Sequence, residues 1–151
     1  MRNIKFRAWV YNPCVYLKKG EWIGDWMMCD VLSIHLEKQT VRARPPEYFR
    51  KNTKAQTRDY QIGEYCKLMQ CTGLKDKNGQ EIYEGDIVKV ESCPIETVHQ
   101  IVYAIDYDYP AFELRPTPEV ECNALQHAVC SCDSEIEIIG NIYENPELLE
   151  V

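Results

Sequence analysis

Four groups of residues in this 151-residue chain have types and spacing that could do chemistry. The first is acidic: Glu81, Glu84 and Asp86 stand close together. Neighbouring carboxylates can move protons, or hold Mg²⁺ in a near-octahedral set of oxygens. The same residues also sit where a tight turn wants them. Gly85 separates Glu84 from Asp86 and enters left-handed backbone at little cost, so turn formation alone accounts for the residue types. The second group is cysteine: Cys14, Cys29, Cys66, Cys71, Cys93, Cys122, Cys130 and Cys132. Zinc favours two thiolates from one Cys-x₂₋₄-Cys knuckle. Cys66 and Cys71 lie at the long limit of that spacing, and Cys130-Ser-Cys132 is too close for an ordinary knuckle. Cys122, His127, Cys130 and Cys132 form the one dense cluster, but its spacing is poor and free cysteine is commonly buried, so no metal and no other cofactor is expected.

The third group is basic. Arg42, Arg44, Arg50, Lys51, Lys54 and Arg58 stand within residues 42–58 against Glu47 and the adjoining Asp59, with Tyr48 and Phe49 interleaved. Cations with aromatic rings between them can contact phosphates and stack bases. Such a segment also reads as a solvated connector, since Pro45-Pro46 breaks regular structure and six charges in a polar loop are ordinary. The fourth group, Trp22, Trp26, Met27 and Met28, is aromatic and sulfur-rich; residues of this kind form core or a docking surface far more often than a cofactor site.

Catalytic signatures are missing. There is no Gly-x-Ser-x-Gly, no glycine-rich phosphate loop ending in Lys-Ser/Thr and no His-Glu-x-x-His. Histidine is limited to His35, His99 and His127. A non-enzyme is the expectation. Hydrophobic content of 45% with 11% aromatic residues argues for a folded chain. No apolar run approaches a membrane span, and residues 1–6 lack the apolar core of a secretory signal. The expected location is cytoplasmic, with thiols free rather than paired. The net charge of −7 is unevenly spread: residues 1–60 hold 12 Lys+Arg and 6 Asp+Glu (+6), residues 61–151 hold 5 and 18 (−13). Such halves can attract each other within a chain or between copies, or the basic half can meet an anionic partner.

The elements that must position these groups read as short strands. Residues 4–10 alternate, with Ile4, Phe6 and Ala8 on one face, and Tyr11-Asn12-Pro13 ends the run. Residues 15–17 make a short second strand. Residues 31–36 and 41–44 pair across the polar turn 37–40. Residues 55–63 read as connector or short helix. Residues 65–71 form a strand leading into Asn78-Gly79, the strongest turn signal in the chain, a pair suited to a type I′ turn with positive φ at both residues. Residues 87–90 are a β-branched strand, 91–96 a loop, and 97–107 and 111–114 a hairpin stopped by Pro116-Thr117-Pro118. A short helix follows within 119–129, with Val120, Ala124 and Leu125 toward the core. The last strand is 135–142, then a helical turn with Asn145 as N-cap and Pro146 at N1. Strands this short and this numerous avoid exposed edges by curling, so the fold class is mainly β: an N-terminal β-rich subdomain with basic connector (1–63) followed by a small Src-homology-three (SH3)-like β-barrel (64–151) with a short C-terminal helical turn.

Three blocks carry a family resemblance: Ile4-Lys5-Phe6-Arg7-Ala8-Trp9, then 68–79 with 81–88 (including Thr72-Gly73-Leu74-Lys75-Asp76-Lys77-Asn78-Gly79 and Tyr83-Glu84-Gly85-Asp86), then Ile139-Gly140-Asn141-Ile142-Tyr143-Glu144-Asn145-Pro146-Glu147-Leu148-Leu149. In order and spacing the chain resembles the YopX family of small proteins encoded by phages and prophages. Residues 11–65 and 92–134 depart most. The resemblance implies the two-part β-rich fold and a phage or prophage origin, in the cytoplasm of a bacterial host. It transfers no catalytic residue. The functional expectation is a non-enzymatic binding or adaptor protein that self-associates, or meets a phage or host protein, using Trp22, Trp26 and Met27. The alternative is a nucleic-acid-binding module using Arg42, Arg44, Tyr48, Arg50, Lys51, Lys54 and Arg58. A metal-binding or enzymatic protein comes third.

Overall fold

Strict alternation at the start of the chain builds its first strand: Ala8 and Val10 are fully buried, and Arg7, Trp9 and Tyr11 point the other way. In this computed structural model, described for residues 4–16, 22–47, 50, 56–92, 94–104, 111–118 and 123–150, the strand β1 runs Phe6–Tyr16. It continues through Asn12-Pro13, where the sequence predicted a stop. A register shift between Asn12 and Val15 in the pairing with β2 (Trp22–His35) absorbs the proline, so the predicted second strand at 15–17 falls into the end of β1.

Two compact units, Met1–Gln70 and Cys71–Val151, make up the chain. In the first, β2 returns through a 3-10 turn, Leu36–Lys38, capped by left-handed Gln39, into β3 (Thr40–Arg44). The expected 31–36/41–44 pairing is present, with Ile34 opposite Val41. The connector predicted at 55–63 instead contains a strand, β4 (Arg58–Gln61), paired to β3 with Tyr60 opposite Val41. Only Tyr60 of its four residues is buried, which is why the stretch reads as loop. On the other side β1 pairs with the first half of β5 (Cys66–Lys75), whose second half, in the second unit, pairs with β6 (Glu81–Tyr83). The resulting antiparallel order is β4-β3-β2-β1-β5-β6. The core of the first unit is one face of its strands: Ala8, Val10, Met27, Cys29, Val41, Ala43, Tyr60 and Cys66, bordered by Val31, Ile34, Ile62 and Leu68.

The second unit is organised by two turns. At the first, Gly79 is left-handed (φ 81°) but Asn78 is not, so the turn is not type I′. The reason is Asp76. Its Oδ1 accepts from the Asn78 and Gln80 amides (2.9 and 2.8 Å), and its own amide and carbonyl close on Gln80 and Gly79. At the second, Gly85 has φ 80°, as the sequence predicted, and Asp86 opens β7 (Asp86–Ser92). The loop expected at 91–96 is mostly strand: β7 ends at Ser92, β8 (Ile95–Ala104) begins three residues on, and Glu91 opposes Glu96 with the Lys89 ammonium bridging both. β9 (Ala111–Arg115) completes the predicted hairpin, helix α1 (Ala124–Cys130) follows, and β10 (Ser134–Asn141) pairs back onto β7. Predicted Val120 lies outside the described residues. A 3-10 turn, Pro146–Leu149, has Pro146 at its start, but Asn145 makes no side-chain capping bond.

The second sheet has the order β10-β7-β8-β9. Among the described residues its end strands do not pair with each other, so no closed barrel is formed; the fold is mainly β, in two antiparallel sheets, with α1 packed in the second unit. Ile82, Val88, Val90, Ile101, Leu114 and Ile136 pack with Ala124, Leu125 and Ala128 of α1 as a second core. Burying a side chain such as Leu125 contributes about 1.5–3 kcal/mol. Charge follows the units: residues 1–70 hold 13 Lys+Arg and 7 Asp+Glu (+6), and residues 71–151 hold 4 and 17 (−13).

Candidate binding face

The face of the N-terminal sheet opposite its core is aromatic. Cross-strand register places Trp9 opposite Met28 of β2 and Lys67 of β5, and Tyr11 opposite Trp26. Tyr11 donates its amide to the Tyr65 carbonyl (3.0 Å), which extends the row past the end of β5. Four rings therefore gather: Tyr11 and Trp26 at 5.5 Å between centroids, Tyr11 and Tyr65 at 5.9 Å, and Trp9 and Trp26 at 6.1 Å with planes 9° apart. These spacings lie within the range of favourable ring pairs. Tyr65 is 51% exposed, and Trp9, Tyr11 and Trp26 are each partly exposed.

Charge adjoins the rings on the same face. One row beyond Trp9, Arg7 opposes Asp30, and Asp30 opposes Arg44. The next row sets Arg42 against Asp59. Arg44 holds Asp30 at 3.0 Å and Arg42 holds Asp59 at 3.6 Å, both as exposed pairs worth about 0–1 kcal/mol. Lys67 is exposed and has no ion pair among the described residues.

Of the basic residues singled out in the sequence, Arg42 and Arg44 thus share one face. Arg58, opposite Ala43, belongs to the register of the core face. Arg50 is exposed, its amide bonded to the Pro46 carbonyl (3.1 Å). Tyr48, Lys51 and Lys54 lie outside the described residues. Of the aromatic group, Trp26 joins the ring array, whereas Met27 is 1% exposed in the core and cannot serve as a docking residue. Trp22 pairs through its backbone with Tyr16, and its side chain lies outside the description. Sequence reasoning missed Trp9, Tyr11, Tyr65 and Lys67; the aromatic residues at alternate positions 9 and 11 were the available signal.

Other reactive types are engaged in holding the fold. Asp86, 1% exposed, accepts from the Tyr83 amide (2.7 Å) and the Asn141 side chain (3.4 Å). Glu81 accepts from the Tyr83 hydroxyl (3.2 Å). His99 has Nδ1 2.6 Å from the Pro116 carbonyl, which can only accept; Nδ1 therefore carries the proton, and Nε2 accepts from the Thr97 hydroxyl at 2.8 Å. Burial pushes the His99 pKa down against that carbonyl bond. Burial pushes the Cys29 thiol up to about 12, helped by Asp30, and the Cys66 thiol up to about 11. Thiols with such values are poor nucleophiles. Cys29 opposes Ala8 and Cys66 opposes Val10, so β1 runs between them. Cys130 and Cys132 are exposed. His127, Cys130 and Cys132 form no metal-holding group among the described residues, and Cys122 lies outside them.

Together these features define a mainly β protein of two compact units, the first carrying a cationic aromatic face. The chain belongs to the YopX protein family, whose profile matches residues 5–150. It is similar across its length to a crystal structure, protein EF1440 from Enterococcus faecalis: 26% identity, 97% of this chain and 98% of that chain covered, TM-score 0.56. No curated protein matches. Among the described residues, no helix is long and apolar enough to cross a membrane.

Proposed function

We propose that this chain is a non-enzymatic binding protein, of phage or prophage origin and acting in the bacterial cytoplasm, whose working surface is the outer face of the N-terminal sheet. The observation that carries this reading is the array of Trp9, Tyr11, Trp26 and Tyr65. The water-facing side of an antiparallel sheet is ordinarily polar. Adjacent partly exposed rings on such a side match the composition of interaction surfaces, where rigid aromatic side chains supply large contact area. The non-enzymatic part is supported by how the reactive groups are used: Asp76 and Asp86 hold turns, His99 has both ring nitrogens bonded, and Cys29 and Cys66 are buried with raised pKa values. The phage origin rests on the family resemblance alone.

An SH3-like reading of the second unit belongs to the same proposal. Its support is the cover over the free side of β10: the Lys77 amide donates to the Ile136 carbonyl (2.8 Å), and Asp76 accepts from the Ile138 amide (3.3 Å). Edges protected in this way are how small curled sheets avoid pairing with other chains.

Two of the three partner classes expected from the sequence have residues on the one face, a second copy through Trp26 and nucleic acid through Arg42 and Arg44; a phage or host protein is the third. The face itself is tested first by acrylamide quenching of the native protein and of Trp9→Phe and Trp26→Phe variants. Loss of a substantial part of the quenchable emission in either variant supports the reading. Tryptophans at 9 and 26 that are as shielded as core residues overturn it. Sedimentation velocity over a hundredfold concentration range reports self-association in the same samples.

A further inference from the structure

We infer that the aromatic face binds single-stranded nucleic acid, with bases stacking on Trp9, Tyr11, Trp26 and Tyr65 and phosphates meeting Lys67, Arg44 and Arg42. This rests on the reading of that face as the working surface and names its partner. Three observations select the partner. First, the ring planes of Trp9 and Trp26 agree within 9°, so a base stacked on one is aligned with the other, while Tyr11 and Tyr65, at 5.5 and 5.9 Å steps and tilted by 59° and 41°, offer further ring faces to bases that turn with the strand. Stacking is available to any base because each has a π face, and it requires no pairing partner. Second, the cations stand beside the rings. Lys67 is directly opposite Trp9, and Arg44 and Arg42 occupy the next rows of the same face. Their carboxylate partners, Asp30 and Asp59, form exposed pairs that a phosphate can replace at little loss. Third, the unit that carries this face has a net charge of +6 within a chain of −7, so a polyanion is drawn to this unit rather than to the other.

A single strand fits better than a duplex. In a duplex the ring faces of the bases are stacked inside, and a protein reaches them only as edges in a groove. A sheet face offering rings to stack on has nothing to stack against there. A second copy of the chain is the competing occupant, since aromatic faces also pair with each other, and it is one outcome of the test.

The test uses fluorescence anisotropy of a labelled 12-nucleotide single strand and of the duplex of the same sequence, over a salt titration, with tryptophan emission followed in parallel. The expected result is single-strand binding at low salt, quenching of tryptophan emission on binding, and weaker duplex binding. With up to three phosphate contacts from Lys67, Arg44 and Arg42, log K should fall against log salt with a slope of about −2. Trp26→Ala should weaken binding by roughly 5- to 150-fold, the usual range for one lost stacking ring. Because that variant alters a packed array, Lys67→Ala/Arg44→Ala serves as the second. Both side chains are exposed, so it should keep the native circular dichroism while lowering the magnitude of the salt slope by about 1.4. Binding that is equal for duplex and single strand, or that leaves tryptophan emission unchanged, overturns the inference. No binding at low salt, with accessible tryptophans and concentration-dependent dimers lost in Trp26→Ala, overturns it in favour of a second copy and leaves the working-surface reading standing. Shielded tryptophans overturn both.

Discussion

Asp76 shows how much of this molecule a single side chain can fix. Its carboxylate accepts from the amides of Asn78 and Gln80 within its own turn and from the amide of Ile138 on β10, 62 residues away. Burial pushes this carboxyl up, but the Gln80, Ile138 and Asn78 amides outweigh it and hold the pKa below its ordinary 3.8. A carboxyl lowered by folding adds stability that is present above its unfolded value and is lost as pH falls through its folded value. The window is therefore below about pH 4. Asp76→Ala is expected to lose about 1–3 kcal/mol at pH 7, the usual loss when buried hydrogen bonds are broken. Urea unfolding followed by far-ultraviolet circular dichroism should show the gap between native and variant narrowing from pH 6 to pH 3. A gap that is constant over that range would mean that Asp76 acts by shape rather than by charge. The same residue explains a difference from the sequence reading: Asn78-Gly79 is a strong turn signal, yet the side chain two positions earlier decides which turn forms.

At the scale of elements, alternation was legible wherever a strand has one buried and one open face. β3 and the first half of β1 follow this rule, and the sequence-based placements of β3, β8 and β10 stand to within a few residues over the described positions. Two elements were hidden for physical reasons. β1 passes through Pro13 by shifting register, which a local reading takes for a strand end. β4 lies at the edge of its sheet and buries only Tyr60, so Arg58, Asp59 and Gln61 carry no apolar signal. The candidate face was legible only in part: Trp26 and the arginines of β3 were visible, but the array exists only once β1, β2 and the start of β5 are in register. Packing between elements makes its own prediction at Gly140. A Cβ there would stand 2.8 Å from Leu148 Cδ1, 2.9 Å from Asn145 Oδ1 and 3.1 Å from Asn145 Cβ. Gly140→Ala should therefore lose about 1–3 kcal/mol by overpacking β10 against the Pro146–Leu149 turn. Adding Leu148→Ala should recover part of that loss, and a double-mutant cycle by urea unfolding measures the coupling. Strictly additive losses would place the strain elsewhere.

At the scale of the whole chain, the two buried clusters share no residue. One is built from β1 to β5, with Met27, Val41 and Tyr60 among its members; the other is built from β6 to β10 with α1, around Leu125, Ile101 and Leu114. All three tryptophans, Trp9, Trp22 and Trp26, belong to the first unit. Tryptophan emission therefore reports the first unit, whereas far-ultraviolet circular dichroism reports strands of both. Leu125 is 1% exposed, and removing its side chain leaves a cavity between α1 and the second sheet. Leu125→Ala is expected to destabilise the second core by about 2–5 kcal/mol. If each cluster is a cooperative unit of its own, circular dichroism of this variant should show an early transition at low urea while the tryptophan transition keeps its native midpoint. Non-coincident probes are the accepted sign that unfolding is not two-state. The strand β5 is the counterargument, because one continuous run of backbone pairs with β1 in its first half and with β6 in its second. Should β5 couple the clusters, both probes would move together to lower urea by the same amount. That outcome would make the aromatic face sensitive to substitutions in the second core, and binding measured in Leu125→Ala below its midpoint would then fall in step with the folded fraction.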